Sequence, residues 1–116
     1  MKVAIVGLGY WGPNLLRNFL AQPDVDQVVA CDTREDRLKL MKQRFPSITL
    51  ANDCEKTLTG DSDLIVIATP VATHYQIAKK ALLNGKHIWV EKPFTANVAE
   101  AEELIEIAES KNLNIF

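Results

Sequence analysis

The chain has 116 residues, which is enough for one compact domain and too few for two. Its 47% hydrophobic content can bury a single core, and its formal net charge of −2 provides no basic surface for nucleic acid or anionic membranes. No apolar run is long enough to span a bilayer and no signal-peptide pattern opens the sequence, so we expect a cytoplasmic protein without nucleic-acid or membrane partners.

The first predicted element is a strand over residues 3–6, a short β-branched apolar run typical of a buried parallel strand. It leads into Gly7, Gly9 and Gly12, which have the G-x-G-x-x-G spacing of a dinucleotide-binding turn. In such a turn the first glycine permits the bend, the second lets the backbone approach a pyrophosphate, and the third lets the next helix pack closely. That helix is predicted over residues 13–21, and its free N–H groups and dipole favour a phosphate at its start.

An acidic residue about twenty positions beyond the glycines supports the same interpretation. Asp32 follows the second predicted strand, residues 27–31, where a carboxylate can accept hydrogen bonds from both ribose hydroxyls and repel a 2′-phosphate. This placement favours NAD over NADP. Arg34 supports the opposite choice, because a guanidinium can stack on adenine or pair with a 2′-phosphate. Helix capping is the structural alternative for Asp32, since a helix capped by Thr33 is predicted to run to Arg44.

Strands and helices continue to alternate along the rest of the sequence. The remaining strands are predicted at residues 48–50, 64–68, 87–90 and 113–116. The remaining helical segments are a loose turn in residues 53–60, a helix from a capping box at Thr73 and Gln76 to Leu83 before Gly85, and a helix opened by Asn97 and Glu100. The last helix should present one apolar side, formed by Val98, Ala101, Leu104, Ile105 and Ala108.

This alternation predicts an α/β, doubly wound Rossmann fold. Its sheet should have six parallel strands, with helices on both faces. Residues 1–116 would then form one dinucleotide-binding domain with nothing left over.

The sequence contains two cysteines, Cys31 and Cys54. They lie far apart in sequence, and neither has the spacing of metal ligands. We therefore expect two free thiols, buried or half-buried, and no metal site.

Polar residues follow the fourth and fifth predicted strands, at the carboxyl edge where ligands bind in open α/β sheets. Pro70 closes the fourth strand, and the hydroxyl and backbone of Thr69 can face a cofactor there. His74 begins the following helix, whose dipole favours a neutral, hydrogen-bonding imidazole; an ordinary surface histidine is an equal alternative. Residues 91–93, Glu-Lys-Pro, follow the fifth strand and by themselves are more typical of a solvated turn.

Together, four motifs resemble the N-terminal nucleotide-binding domain of the Gfo/Idh/MocA oxidoreductases, over essentially the whole chain. The motifs are Gly7-x-Gly9-x-x-Gly12, Asp32, Ala68-Thr69-Pro70-x-x-Thr73-His74 and Gly85-Lys86-His87-x-x-x-Glu91-Lys92-Pro93. The resemblance implies that Lys92 is the catalytic lysine, which bonds the reacting hydroxyl of the substrate. It also implies that Glu91 lies near the nicotinamide ribose, and that Pro93 belongs to a turn, open to a cis peptide, that aims the lysine.

The same resemblance implies a function. Residues 9–15 are similar to those of members acting on nucleotide-linked sugars, and Tyr10 and Trp11 join the expected cofactor-binding residues. We expect the NAD-binding domain of a dehydrogenase that moves a hydride between a CH–OH group of a sugar, nucleotide sugar or cyclitol and nicotinamide. Family members carry a second domain, absent from this chain, that supplies most of the substrate pocket and a histidine acid/base.

The absence of the second domain limits what the chain should do by itself. The segment should bind the cofactor and turn over little or nothing. We expect an excised domain rather than a natural truncation, and a full-length protein that is a homo-oligomer and takes its sugar-like substrate through the missing domain.

Two other functions fit the same sequence. One is a non-catalytic domain that senses NAD or binds CoA and regulates a partner, which leaves residues 91–93 without a role. The other is a nicotinamide-dependent reductase for another substrate class, such as imines or bile pigments, on the same scaffold. Measuring NAD binding separates the CoA alternative from the others.

Overall fold

A computed structural model describes all residues, 1–116, as one α/β layer structure. Its strands are β1 (Lys2–Val6), β2 (Gln27–Cys31), β3 (Thr49–Ala51), β4 (Leu64–Ile67) and β5 (His87–Val90). They form one parallel sheet in the order β3-β2-β1-β4-β5. Because the chain runs outward from β1 to β3 and then returns to the other side of β1, the strand order reverses between β1 and β4. Ligands bind at such a reversal in open α/β sheets.

Helices cover both faces of the sheet, as predicted. They are α1 (Gly12–Leu20), α2 (Glu35–Arg44), α3 (Cys54–Thr59), α4 (Val71–Leu83) and α5 (Val98–Lys111). One buried cluster joins α1 and α2 to one face, and a second joins α3, α4 and α5 to the other. None of these helices has the length and apolar content needed to cross a bilayer.

The central strand, β1, contributes side chains to both buried clusters. Val3 and Ile5 of β1 belong to the cluster under α1 and α2, whereas Ala4 and Val6 belong to the cluster under α4 and α5. All four side chains are buried, because successive residues of a strand point to opposite faces and both faces are covered. This explains why the strand is a continuous apolar run rather than an alternating one.

The predicted sixth strand, residues 113–116, is reduced to a single parallel bridge between Ile88 and Ile115. The backbone still bonds to β5: the Ile88 N–H donates to the Asn114 carbonyl at 3.1 Å, and the Phe116 N–H donates to the Ile88 carbonyl at 2.9 Å. The segment lies beside β5, as a sixth strand would, but it does not form the predicted strand. The sheet itself has five strands, because pairing at one residue does not make a ladder.

Two predicted helix starts are wrong. Thr33 does not cap α2, which begins at Glu35 with Arg34 at the cap position and no side-chain cap. Thr73 does not open α4, which already begins at Val71, directly after Pro70. Instead, the Thr73 hydroxyl donates to the Pro70 carbonyl at 2.6 Å inside the first turn. A hydroxyl side chain near a helix start can bond either within the turn or at its cap, and spacing alone does not separate the two.

The starts of α3 and α5 have side-chain caps, whereas α1, preceded by Trp11, has none. Asn97 caps α5 by accepting the Glu100 N–H at 2.9 Å, as predicted. The loose turn predicted in residues 53–60 is the helix α3, capped by Asp53, which accepts the Lys56 N–H at 3.2 Å. In both cases an extended residue with a short acceptor side chain satisfies one free N–H of the first turn.

The apolar side predicted for α5 is only partly correct. Leu104 and Ala108 are buried against the sheet and α4, and Ala101 is half-buried. Val98 and Ile105, however, are exposed. A helix that lies on a single neighbouring layer buries a narrow stripe, and these two residues fall outside it.

Candidate functional site

The glycine turn after β1 requires a glycine at its first position. Gly7 has a φ of +94°, and a Cβ built there would lie 2.8 Å from the carbonyl carbon and oxygen of Ala68. Gly9 has nothing within 4 Å of its Cβ position, so the space beside it is open. At Gly12, the first residue of α1, a Cβ would lie 3.4 Å from the Leu8 side chain. The turn is thus bent tightly at one end and open in the middle, as an approach to a pyrophosphate requires.

The backbone N–H groups of Gly9, Tyr10 and Trp11 donate no hydrogen bond within the chain. They stand at the start of α1, where the helix dipole also favours negative charge. Unpaired N–H groups beside an open glycine form a suitable cradle for phosphate oxygens. The turn therefore fits a dinucleotide by its own geometry.

Asp32 is tied to this turn by its side chain. Its Oδ2 accepts the Leu8 N–H at 2.9 Å, and its Oδ1 accepts the Arg34 N–H at 2.9 Å. Desolvation alone would raise the pKa of Asp32, but the N–H groups of Arg34 and Leu8 and the Arg34 guanidinium outweigh it and lower that pKa. The residue is an ionised acceptor at neutral pH. It accepts no N–H from the first turn of α2, so the helix-capping alternative does not describe it.

Arg37 is a site residue that the sequence analysis missed. From α2, its guanidinium donates to the Leu8 carbonyl at 2.8 Å and 3.0 Å and to the Gly9 carbonyl at 3.1 Å. These bonds hold two carbonyl groups of the glycine turn away from the cradle. Arg37 is half-buried, but a charged residue in the polar sequence of α2 carries no pattern that distinguishes this role from ordinary solvation.

A cleft of about 410 Å³ lies at the carboxyl ends of β1, β2 and β4. It gathers six of the predicted site residues: Gly7, Gly9, Asp32, Arg34, Thr69 and Pro70. Tyr10 and Trp11 lie outside it; both are exposed, and their rings meet edge to face at 5.1 Å. A cavity of about 380 Å³ beside β3 and α3 contains none of the predicted residues.

His74 is buried, so the alternative of an ordinary surface histidine is wrong. Its Nε2 lies 2.7 Å from the Thr69 carbonyl oxygen, and its Nδ1 lies 3.0 Å from the Pro93 carbonyl and 3.2 Å from the Phe94 carbonyl. Each ring nitrogen therefore faces backbone acceptors only. The imidazole joins the loop after β4 to the turn after β5, which makes it a positioning residue; direct contact with the cofactor stays a prediction.

The turn after β5 presents Lys92 to solvent. The Glu91 N–H donates to the Ile67 carbonyl at 3.1 Å, which extends the pairing with β4 by one residue. The Lys92–Pro93 peptide is cis, and Lys92 is exposed, with no hydrogen bond or ion pair to another residue. The ammonium group is therefore unpaired at the carboxyl edge of the sheet, which is the edge that holds the cleft.

Comparison with known proteins agrees with this geometry. Over residues 1–116 the chain matches the GFO_IDH_MocA family model, described as an oxidoreductase family with an NAD-binding Rossmann fold. It is 35% identical over 119 residues to a "Glycosyl hydrolase family 109 protein" of Streptomyces niveus, covering 94% of this chain and 24% of that protein. It is 37% identical over 120 residues to the uncharacterized oxidoreductase YdgJ of Escherichia coli strain K12, covering 100% of this chain and 34% of that protein.

Among solved structures, GenD2 from gentamicin A biosynthesis, in complex with NAD, has a TM-score of 0.90 and 28% identity. The match covers 99% of this chain and 33% of GenD2. The chain thus spans about a quarter to a third of the proteins it matches. The glycine turn, the ionised Asp32 and the match over every residue lead to one conclusion: the chain belongs to the Gfo/Idh/MocA oxidoreductase family, as its NAD-binding Rossmann domain.

Proposed function

We propose that the protein containing this domain is an NAD-dependent dehydrogenase that acts on a CH–OH group of a sugar, nucleotide sugar or cyclitol. The observation that carries the proposal is Lys92, an unpaired cation on an edge that also holds the nucleotide cleft. The name of the Streptomyces niveus relative, a glycosyl hydrolase family 109 protein, supports a sugar-like substrate.

In this proposal the chain binds and orients the cofactor. The free N–H groups of Gly9, Tyr10 and Trp11 would hold the pyrophosphate, and Asp32 would accept the ribose hydroxyls. Arg34, Thr69, Pro70 and Glu91 would complete the contacts along the cleft and toward the nicotinamide ribose. NAD, when bound, supplies hydride transfer at its nicotinamide ring.

Lys92 would act on the substrate. Its ammonium group donates a hydrogen bond to the reacting oxygen and stabilises the negative charge that develops there. His74 holds the neighbouring Pro93 against the loop after β4. The backbone that carries the lysine side chain is therefore held in place. The rest of the substrate pocket and the acid/base histidine belong to the proposed second domain, and we propose a cytoplasmic homo-oligomer for the whole protein.

Replacing Lys92 with alanine in the full-length protein tests this assignment. We expect kcat to fall about 100-fold or more, because a charge beside the reacting oxygen acts mainly in the transition state. The free energy of unfolding should change by no more than about 0.5 kcal/mol, since the side chain is exposed and unpaired. The assay follows NADH absorbance with a panel of sugars, nucleotide sugars and cyclitols.

Lys111→Ala is the matched control, because Lys111 is an exposed lysine at the end of α5, on the opposite edge of the sheet. It should leave both kcat and stability unchanged. Full activity of the Lys92→Ala variant would contradict the proposed role of the lysine. Tight NAD binding without turnover of any substrate would instead favour a non-catalytic sensing domain.

A further inference from the structure

Two thiols that are distant in sequence lie against each other at the cofactor cleft. Cys31 is the last residue of β2 and Cys54 is the first residue of α3. Their Sγ atoms are 3.0 Å apart across a separation of 23 residues, and neither is in a disulfide. Both residues line the cleft that contains Asp32. The proposed reaction uses neither thiol.

The two thiols differ in their access to the cleft. Cys31 is fully buried, whereas Cys54 is half-buried. Burial, and next the contact with Cys54, raises the pKa of Cys31 to about 12, so Cys31 keeps its proton at neutral pH. The thiolate is the form of cysteine that reacts with oxidants. An oxidant entering the cleft therefore meets Cys54 first, with Cys31 directly behind it.

We propose that Cys31 and Cys54 form a reversible dithiol–disulfide pair, oxidised by peroxides, at the adenosine end of the cofactor cleft. The Cys54 thiolate attacks one peroxide oxygen, the O–O bond breaks, and the departing hydroxide takes up a proton as water. The Cys54 sulfenic acid is then attacked by the Cys31 sulfur: an S–S bond forms, the S–O bond breaks, and hydroxide leaves with the Cys31 proton as a second water. A dithiol reductant returns two electrons and two protons and restores both thiols.

The geometry requires little movement for this step. A disulfide has an S–S bond of about 2.0 Å, so the two sulfurs need to approach by about 1 Å. The new bond would tie the end of β2 to the start of α3, two elements that lie on adjacent sides of the cleft. No third thiol competes within residues 1–116.

The pair is placed to respond to cofactor occupancy. The Cys31 carbonyl accepts the Gly7 N–H at 2.9 Å, and the residue after Cys31 is Asp32. An adenosine bound at Asp32 would cover Cys54, the half-buried and more accessible member of the pair. We therefore expect NAD to protect the thiols from oxidation, a part of the inference that rests on the proposed placement of NAD in this cleft.

Mass spectrometry of the full-length protein tests the pair. After hydrogen peroxide treatment and alkylation, we expect a mass loss of two hydrogen atoms at these residues, no alkylation of either thiol, and a Cys31–Cys54 cross-linked peptide. Dithiothreitol should reverse the change. Sulfinic or sulfonic acid at Cys54 without the cross-link, or alkylation of both thiols at full yield, would overturn the proposal.

Two serine variants test the order of events. In Cys31→Ser, Cys54 should stop at a sulfenic acid that dimedone traps, because no second thiol is present to displace the hydroxyl. In Cys54→Ser, Cys31 should resist the same peroxide dose. Oxidation of Cys31 in that variant at the rate of the unmodified protein would show that the two thiols react independently and would refute the pairing.

The protective effect is measured as a rate. With NAD at about ten times its Kd, only about a tenth of the sites are empty, so disulfide formation should slow about tenfold. An equal rate with and without NAD, while calorimetry shows NAD bound, would overturn the link to occupancy. Absence of NAD binding in calorimetry would overturn the cofactor placement instead, and the cross-link measured without NAD distinguishes these two failures.

Discussion

Asp32 has a structural role in the glycine turn and a proposed role in binding the ribose. Its oxygens hold the N–H groups of Leu8 and Arg34, and its position at the end of β2 aims the remaining lone pairs into the cleft. The hydrogen bonds that lower its pKa therefore also fix the geometry in which a ribose would be recognised. Replacing Asp32 with a small neutral residue would remove both the negative charge and the hydrogen bond that holds the Leu8 N–H of the glycine turn.

Asp32→Ala should weaken NAD binding by about 1–3 kcal/mol, the range of a hydrogen bond to a charged group. The unmodified protein should bind NAD more tightly than NADP, because the carboxylate repels a 2′-phosphate. Calorimetric titration with both cofactors measures the two effects. Asp36→Ala, which removes an exposed carboxylate from the first turn of α2, is the control and should bind NAD normally. Equal or tighter binding of NADP by the unmodified protein would assign the specificity to Arg34.

The glycine turn shows that the glycines of one motif are required for different reasons. Gly7 is held at positive φ against the Ala68 backbone, so its requirement is steric and internal to the fold. A Cβ at Gly9 would have no neighbour within 4 Å, so the fold does not require a glycine there, and we propose that this glycine serves the approach of the pyrophosphate. We therefore expect a substitution at Gly7 to affect mainly stability and a substitution at Gly9 to affect mainly cofactor binding.

Replacing each glycine with alanine tests this separation. Gly9→Ala should leave the melting temperature unchanged and sharply reduce NAD affinity, because the new methyl group occupies the approach of the pyrophosphate. Gly7→Ala should lower the free energy of unfolding by at least about 1–2 kcal/mol through its left-handed backbone alone. Calorimetry and thermal melts measure the two outcomes. Normal NAD binding by Gly9→Ala would show that the glycine motif serves packing and not cofactor binding.

The loops after β4 and β5 are joined by the His74 side chain. The imidazole contacts the Thr69 carbonyl on one side and the Pro93 carbonyl on the other, so one side chain lies between the two loops. Since Thr69 lines the cleft and Pro93 follows Lys92, this bridge connects the cofactor side of the site with the proposed catalytic side.

His74→Phe should lower the free energy of unfolding by about 1–3 kcal/mol, because the buried ring loses its polar contacts with the Thr69 and Pro93 carbonyl groups. In the full-length protein it should also lower kcat more than it changes KM, since the lysine loses its fixed backbone. His87→Phe is the control: His87 is half-buried at the start of β5, and its Nδ1 accepts only the Asn114 N–H. A kcat for His74→Phe equal to that of His87→Phe would limit His74 to a structural role.

The whole molecule depends on two separate cores, one on each face of the sheet. On the face that α4 and α5 cover, the buried residues of α5 are Leu104 and Ala108. Ile105, next to Leu104 in the sequence, is exposed to solvent. Two adjacent residues of α5 should therefore differ greatly in their contribution to stability.

Leu104→Ala should destabilise the protein by about 2–5 kcal/mol, because it leaves a cavity in a fully buried cluster. Ile105→Ala should change the free energy of unfolding by less than about 0.5 kcal/mol, because Ile105 is 45% exposed. Urea denaturation of both variants measures the difference. A large loss in Ile105→Ala would mean that the outer side of α5 is covered in the full-length protein.

The elements and the edge of the site follow from local residue patterns. The continuous apolar runs at β1 and β4 predicted a doubly covered parallel sheet, and the glycine spacing with Asp32 predicted a nucleotide turn. These features depend on side-chain periodicity and on backbone conformations that few residues allow, and both are visible in a linear sequence. The predicted sixth strand at residues 113–116 is only one bridge, since the extent of pairing depends on how the segment lies against β5.

Contacts between distant segments were decided only by the folded chain. Three contacts join elements that are separate in the sequence. They are the Arg37 bonds to the glycine turn, the His74 contacts with two loops, and the 3.0 Å approach of Cys31 and Cys54. The exposure of Ile105 likewise depends on which side of α5 meets α4. No local pattern encodes such distances, because they follow from the strand order and from the angle at which each helix packs.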